Sequence, residues 1–276
     1  MTPISPPRES ATVMLVRDGE AGLEVFMLRR LLHADFIGGA YVFPGGRLDE
    51  SDCDPAVLAH CGGVSPAQAG SLLGIAPERA LGHWGCAVRE TFEEAGLLLA
   101  YRDGGLVPMR DAATRAHWAD RRRRLLDGEL SWPDMLAAER LTLACDQLLY
   151  FAHWITPEAS PKRFTTRFFL ARVPEGQAPL PDQREVDHGE WVVPARALAA
   201  HRRGELPMIF PTVRTLEELS EFPTAADALR ACHHRPVVAR MPKIVERDGE
   251  LVFLLPGDAG YDDAGLPPER FNPWKL

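Results

Sequence analysis

The sequence predicts an α/β fold, a mixed β-sheet with helices on both faces, extended by helical insertions and a C-terminal β-hairpin. Three observations predict it. Two β-rich runs, 10–17 and 23–30, flank the Gly-containing turn Asp18-Gly19-Glu20-Ala21-Gly22, which is the pattern of a hairpin. Val13 to Val16 are apolar on both strand faces, so the sheet needs cover on each side. A long amphipathic helix opens at Pro77, and two further strand-like runs, 147–156 and 163–173, follow it.

After the hairpin, a loop leads to Gly39-Ala40-Tyr41-Val42-Phe43-Pro44-Gly45-Gly46, where two glycines after a proline free the backbone for a tight turn. Residues 53–76 are rich in Ala, Gly and Pro, with two short helical candidates. Pro77 suits a first helical turn, and Glu78 complements the positive end of the helix dipole. Leu81, Trp84, Val88, Phe92 and Ala95 fall on one stripe of this helix, and Gly96 is placed to end it. Helices are expected at 111–126, 132–140, 194–203, 211–220 and 224–232, with a short strand at 189–193. A last hairpin, 243–247 and 251–255, turns at Asp248-Gly249. The expected organisation is a loose lead-in over 1–9, one domain over 10–234 with an insertion at 53–76 and a helical segment at 105–145, and an extension over 235–276 packed on that domain.

A chain of 276 residues can bury a full core, and 46% hydrophobic with 25% charged residues is ordinary for a soluble protein. The net charge of −8 argues against a nucleic-acid binder that works by neutralising phosphates, because no overall basic field exists. No apolar run approaches the ~20 residues of a membrane span, and Met1 to Arg8 lack the apolar core of a signal peptide. Five scattered cysteines (Cys53, Cys61, Cys86, Cys145, Cys232) fit reduced thiols of a cytoplasmic protein better than disulfides or a zinc site. Cys232-His233-His234 cannot all point at one ion from a helix.

The chemistry concentrates in Arg89-Glu90-Thr91-Phe92-Glu93-Glu94-Ala95-Gly96-Leu97. On a helix, Glu90, Glu93 and Glu94 share one face, roughly opposite the apolar stripe. Like charges so spaced repel, unless the face is simply solvated or a hard divalent cation binds the oxygens. In the strand 163–171, Arg163, Thr165 and Arg167 alternate onto one face, where two guanidiniums suit phosphate oxygens. Arg121 to Arg124 cover all faces of their helix and are expected to be solvated. His153 is expected to be a satisfied core histidine.

These residues resemble the Nudix hydrolases. That family's signature is a Gly, five residues, a Glu, seven residues, then Arg-Glu-U-x-Glu-Glu-x-Gly-U, with U bulky and apolar. Arg89 to Leu97 match its second half, with Thr91 at the first U. Phe43-Pro44-Gly45-Gly46 matches the start, and Asp52 stands where the family has Glu. Residues 53–88 then separate the halves, 36 residues in place of seven; the longer loop costs only about one kcal/mol to close. A long insertion here looks like the coenzyme A diphosphatase branch. Of that branch's pattern Arg30 and Gly39 are in place, whereas Leu31 and Asp35 replace a small residue and an Arg.

The resemblance implies a Nudix-type α/β/α sandwich over 10–234 and hydrolysis of a diphosphate linkage in a nucleoside diphosphate derivative, coenzyme A or an acyl-coenzyme A first, with ADP-ribose, dinucleotides and nucleotide sugars as alternatives. A nucleotide-sensing module without turnover is the non-enzymatic alternative. It implies Mg²⁺ or Mn²⁺ on Glu90, Glu93 and Glu94, with Glu90 also a candidate base, and Arg89 holding a motif carboxylate. Glu185, six residues before Trp191, is the expected further ligand or base, with Glu190 the alternative. Arg30, Phe43, Gly45 and Gly46, with Arg163 and Arg167, are the expected substrate-binding set. A small-molecule partner and a monomer or homodimer, with no nucleic acid or membrane, complete the expectation.

Overall fold

A computed structural model describes residues 5–33, 38–158, 160–247 and 250–264. Strands β1 (Arg8–Gly19) and β2 (Gly22–Arg30) form the expected hairpin, followed by the short β3 (Tyr41–Val42) and β4 (Gly45–Arg47). The insertion folds as α1 (Pro55–Leu58), β5 (Cys61–Gly62) and α2 (Pro66–Leu73), and leads into α3 (Pro77–Ala95). Next come β6 (Ala100–Arg102), β7 (Gly105–Leu106), α4 (Ala112–Leu126), α5 (Trp132–Ala138) and β8 (Thr142–Ala144). Strands β9 (Leu149–Ile155), β10 (Phe164–Arg172) and β11 (Val186–Val192) precede α6 (Pro194–Arg202), α7 (Phe210–Leu219) and α8 (Ala225–Cys232). The chain continues through β12 (Ala239–Arg240), β13 (Lys243–Arg247) and β14 (Glu250–Leu254).

The main sheet runs β11-β2-β1-β10-β9-β12, with β3 beside β2 and β4 beside β1. It is mixed, because β1 pairs parallel with β10 and antiparallel with β2. Strand alternation sorts its side chains. Ala11, Val13 and Leu15 pack with Leu81, Trp84, Val88 and Phe92 of α3. Met14 and Val16 pack with Leu198, Leu216, Leu219 and Ala228 of α6 to α8. Both faces of β1 are therefore dry, and the architecture is the expected α/β/α sandwich.

One edge of β1 is shared: Val16 to Gly19 pair with β2, while Ser10 to Thr12 pair with β4. Between them the sheet parts, and Val13 donates to Pro44 O at 2.8 Å. The candidate site lies beside this parting.

Several elements differ from expectation. β1 begins at Arg8, inside the anticipated lead-in, because Arg8 and Glu9 pair with Phe164 and Thr165. A second sheet, β5-β8-β6-β7, brings the insertion to the segment after α3; runs of two or three residues are too short to leave a period in sequence. The face of α3 opposite its apolar stripe is not open to water, for Arg89 and Glu94 are buried under the Gly45–Cys53 segment. The turn Asp248-Gly249 lies outside the described residues, and β13 pairs with β14 around it.

Candidate active site

The helix α3 positions the acidic face, and Gly96, in the left-handed conformation at φ 68°, stops it one residue after Ala95. Thr91 fits the buried position that the motif gives to an apolar residue, because its hydroxyl donates to Ala87 O at 2.7 Å. Arg89 organises the carboxylates. Its Nε and Nη2 grip both oxygens of the fully buried Asp52 at 2.8 Å each. Its Nη1 donates to Glu90 at 2.9 Å and Glu93 at 3.1 Å. Asp52 also accepts from the Asp49 backbone at 2.9 Å. The two half-motifs therefore meet across the insertion, held by a bidentate ion pair.

The glycine turn is shaped around the acids. Gly45 N donates to Glu94 Oε2 at 2.8 Å. A Cβ on Gly45 would strike Ala11 O at 2.3 Å, and one on Gly46 would lie 2.4 Å from the Glu90 carboxyl carbon. Only glycine lets β4 lie this close to β1 and α3.

Burial raises the Glu90 carboxyl to about 7 against the pull of Arg89, and Glu93 adds repulsion. Burial likewise raises Glu93, and pushes Glu94 well up with repulsion from Glu90 and Glu185. Glu90 and Glu93 thus share with Asp52 a single guanidinium, and Glu94 beside them has, among the described residues, only the Gly45 N–H as a hydrogen-bond donor. That excess of buried anionic oxygen fits a hard divalent cation. Among the described residues no cluster of three or more His, Cys, Asp or Glu is already gathered around one point, since Arg89 holds Glu90 and Glu93.

Glu185 sits on the loop before β11, 63% exposed, with Arg30 Nη2 at 4.0 Å. Arg30 Nε is buried without a hydrogen-bond partner. Glu190 lies farther along β11, 3.5 Å from His188.

A cavity of about 360 Å³ adjoins this arrangement. Arg30, Gly45, Gly46, Arg47 and Glu185 line one part of it. Thr12, Phe43, Trp154, Thr166, Phe168, Phe210 and Phe253 are among its other lining residues. Glu90, Glu93 and Glu94 are not in its wall and meet it through Gly45 and Gly46.

The structure brings Arg30, Phe43, Gly45, Gly46 and Glu185 to one place beside Arg89, Glu90, Glu93 and Glu94. Arg163 and Arg167, expected with the substrate-binding set, do not line the cavity. Phe164, Thr166 and Phe168 face it, so the period of two turns Arg167 the other way, where it meets His153. Arg163 bonds instead to Ser5 O at 2.9 Å and Thr156 O at 3.2 Å. His153 is buried and bonded to Thr165 Oγ1 at 2.7 Å, as a core histidine should be.

Arg122 differs from expectation. It is buried, not solvated, and donates to Glu93 O and Leu180 O at 2.8 Å each, satisfying a carbonyl at the end of α3. Arg47 escaped sequence reasoning, although its place directly after Gly45-Gly46 marked it. Asp35 lies outside the described residues.

A family model described as the NUDT19 Nudix domain matches residues 67–219. Acyl-coenzyme A diphosphatase NUDT19 of Homo sapiens is 29% identical over 279 residues, 87% of this chain and 72% of that protein. Its Xenopus laevis counterpart is 26% identical over 293 residues, 90% and 74% of the two chains. The crystal structure of a NUDIX hydrolase from Alicyclobacillus acidocaldarius superposes with a TM-score of 0.68 at 28% identity, covering 83% of this chain and 97% of that one.

Proposed function

Since the chain belongs to the Nudix hydrolase family through its NUDT19-type domain, we propose that it hydrolyses the diphosphate linkage of coenzyme A or an acyl-coenzyme A with the help of Mg²⁺ or Mn²⁺. The relatives named acyl-coenzyme A diphosphatase support the substrate class. The observation that carries the reading is the set of crowded carboxylates on α3, Glu94 buried and Glu90 and Glu93 half-buried, set against the Gly45-Gly46 turn, with Arg30 and Arg47 on the adjoining cavity wall.

Glu90, Glu93 and Glu94, joined by Glu185, are the residues to hold the cation. Bound there, the ion supplies charge neutralisation at phosphate oxygens and orientation of the attack. The chain's own residues do the rest. Arg89 orients Glu90 and Glu93 while anchored on Asp52. The Gly45 N–H fixes Glu94. Arg30, its Nε lacking a partner, and Arg47 offer guanidiniums to the diphosphate. Water attacks phosphorus, the bridging P–O bond breaks, and the water's proton passes to a carboxylate of the acidic face, for which Glu90 and Glu185 are the candidates.

The test is product mass spectrometry after incubation with coenzyme A, acyl-coenzyme A, ADP-ribose, dinucleotides and nucleotide sugars, each with Mg²⁺ or Mn²⁺. Cleavage of coenzyme A at the diphosphate gives adenosine 3′,5′-bisphosphate and a phosphopantetheine. Glu93→Gln and Glu94→Gln are each expected to lower kcat/KM roughly 10²-fold. Preference for another compound on the panel, or full activity in both variants, sinks the proposal.

A further inference from the structure

We infer that the C-terminal hairpin β13–β14 completes a binding site for an acyl chain on the pantetheine arm of the substrate, an inference that rests on the coenzyme A reading above. The hairpin lies beyond residue 219, where the family match ends. Its strands pair only with each other among the described residues. Side chains hold it in place: Ile244 and Leu254 are buried, and Phe253 stacks on Phe210 of α7 with centroids 4.3 Å apart and planes 11° from parallel. Phe253 and Pro242, just ahead of β13, thereby become cavity wall.

The cavity has a polarity that assigns its occupant. It crosses the strands in the order β4, β1, β10, β9, a span of roughly 14 Å at ordinary strand spacing. Its charged lining side chains, Arg30, Arg47 and Glu185, belong with the Gly45-Gly46 side, next to the carboxylates. Towards β9 the described lining is apolar rings, aliphatic groups and neutral hydroxyls. Ser10 and Thr166 spend theirs on each other at 2.7 Å.

A nucleotide fits this far side poorly. Among the described residues that line it there, none is an amide, a carboxylate or a cation, so nothing in that lining reads a base edge or meets a ribose phosphate. The rings are also engaged with one another: Phe210 meets Trp154 edge-on at 6.0 Å, and Phe43 meets Phe168 edge-on at 6.4 Å. An acyl chain needs no polar partner and gains from each methylene removed from water. With the diphosphate beside the acids, the neutral arm runs under the hairpin.

The test uses pantetheine thioesters, acetyl through dodecanoyl, which lack both nucleotide and diphosphate, titrated calorimetrically into the full chain. Affinity is expected to rise roughly fourfold per methylene until the cavity is full. Phe253→Ala should cut the ratio of long-chain to short-chain affinity by roughly tenfold or more. Ile209→Trp, which fills the cavity from a half-buried position, should shorten the longest chain accepted, and it reads independently should the first variant fold poorly. Affinity indifferent to chain length, or an unchanged length profile in both variants, overturns the inference. Coenzyme A hydrolysis is scored separately. Chain-length-dependent binding without hydrolysis supports this site and removes the diphosphatase reading, whereas hydrolysis with no length dependence does the reverse.

Discussion

Arg89 and Asp52 show how much rests on single side chains here. Asp52→Ala removes the bidentate partner of a buried guanidinium and leaves that charge short of a counter-ion. The expected cost is roughly 3 kcal/mol, measured as a lowered midpoint in urea with unchanged slope. Glu90 and Glu93 also lose their orienting group, so activity should fall by more than the loss of folded protein explains. Gly46→Ala makes a different error. Its Cβ would occupy the place of the Glu90 carboxylate, and that flexible side chain can swing away. Stability should therefore change little while kcat drops by about 10²-fold, the scale of an ångström-sized misplacement. Equal losses of both would show that the turn, not the carboxylate, yields.

At the scale of elements, α3 is the piece that joins core to chemistry. Its apolar stripe packs on β1, its acidic face meets β4, and its last turn is closed by Gly96 and Arg122. Gly96→Ala forces an alanine into φ 68° and sets its Cβ 3.1 Å from Arg122 Nη1. We expect a loss of about 1–2 kcal/mol, read by chemical denaturation, with Glu93 and Glu94 disturbed because they sit in the same turn. The insertion between the half-motifs does not weaken this element. α1 and α2 pack on α3, each capped by the residue before it, Asp54 on Ala56 N and Ser65 on Gln68 N. The inserted residues add cover to α3 and leave Asp52 beside Arg89.

For the whole molecule, acid is the condition that should tell most. His83 of α3 and His153 of β9 lie buried around Arg167, with Glu9 and Arg79 beside His83. Burial lowers His83 to about 4 and His153 to about 3, with Arg167 adding repulsion. Between about pH 6.5 and pH 4 the unfolded chain takes up protons that the folded chain refuses, so stability falls as pH falls. For His83 alone the loss by pH 4 is on the order of 3 kcal/mol. Glu9 acts in the same sense: burial would raise its carboxyl, but bonds from Arg79 and His83 outweigh that and hold it low. Its contribution is therefore also lost towards acid. Melting temperature against pH checks this, and His83→Gln with His153→Gln should flatten the limb below pH 6.5. No helix among the described residues is long and apolar enough to cross a membrane.

The layers and the acidic motif were already written in local residue patterns. Val13 to Val16 announced a sheet covered twice, Pro77 and Gly96 bracketed the helix, and Glu90, Glu93 and Glu94 fell on one face by period alone. Such features are local, and a period of two or 3.6 survives in a string of residues. Tertiary structure decided what lies opposite what. Which face of β10 meets the cavity depends on register against β1, so Arg167 turned inwards while Thr166 and Phe168 turned to the cavity. Whether Arg122 is solvated depends on α4 reaching the end of α3. Asp52 and Arg89 are 37 positions apart, and Phe253 and Phe210 are 43 apart. Contacts at those separations are made by chain topology and packing, which no local pattern carries.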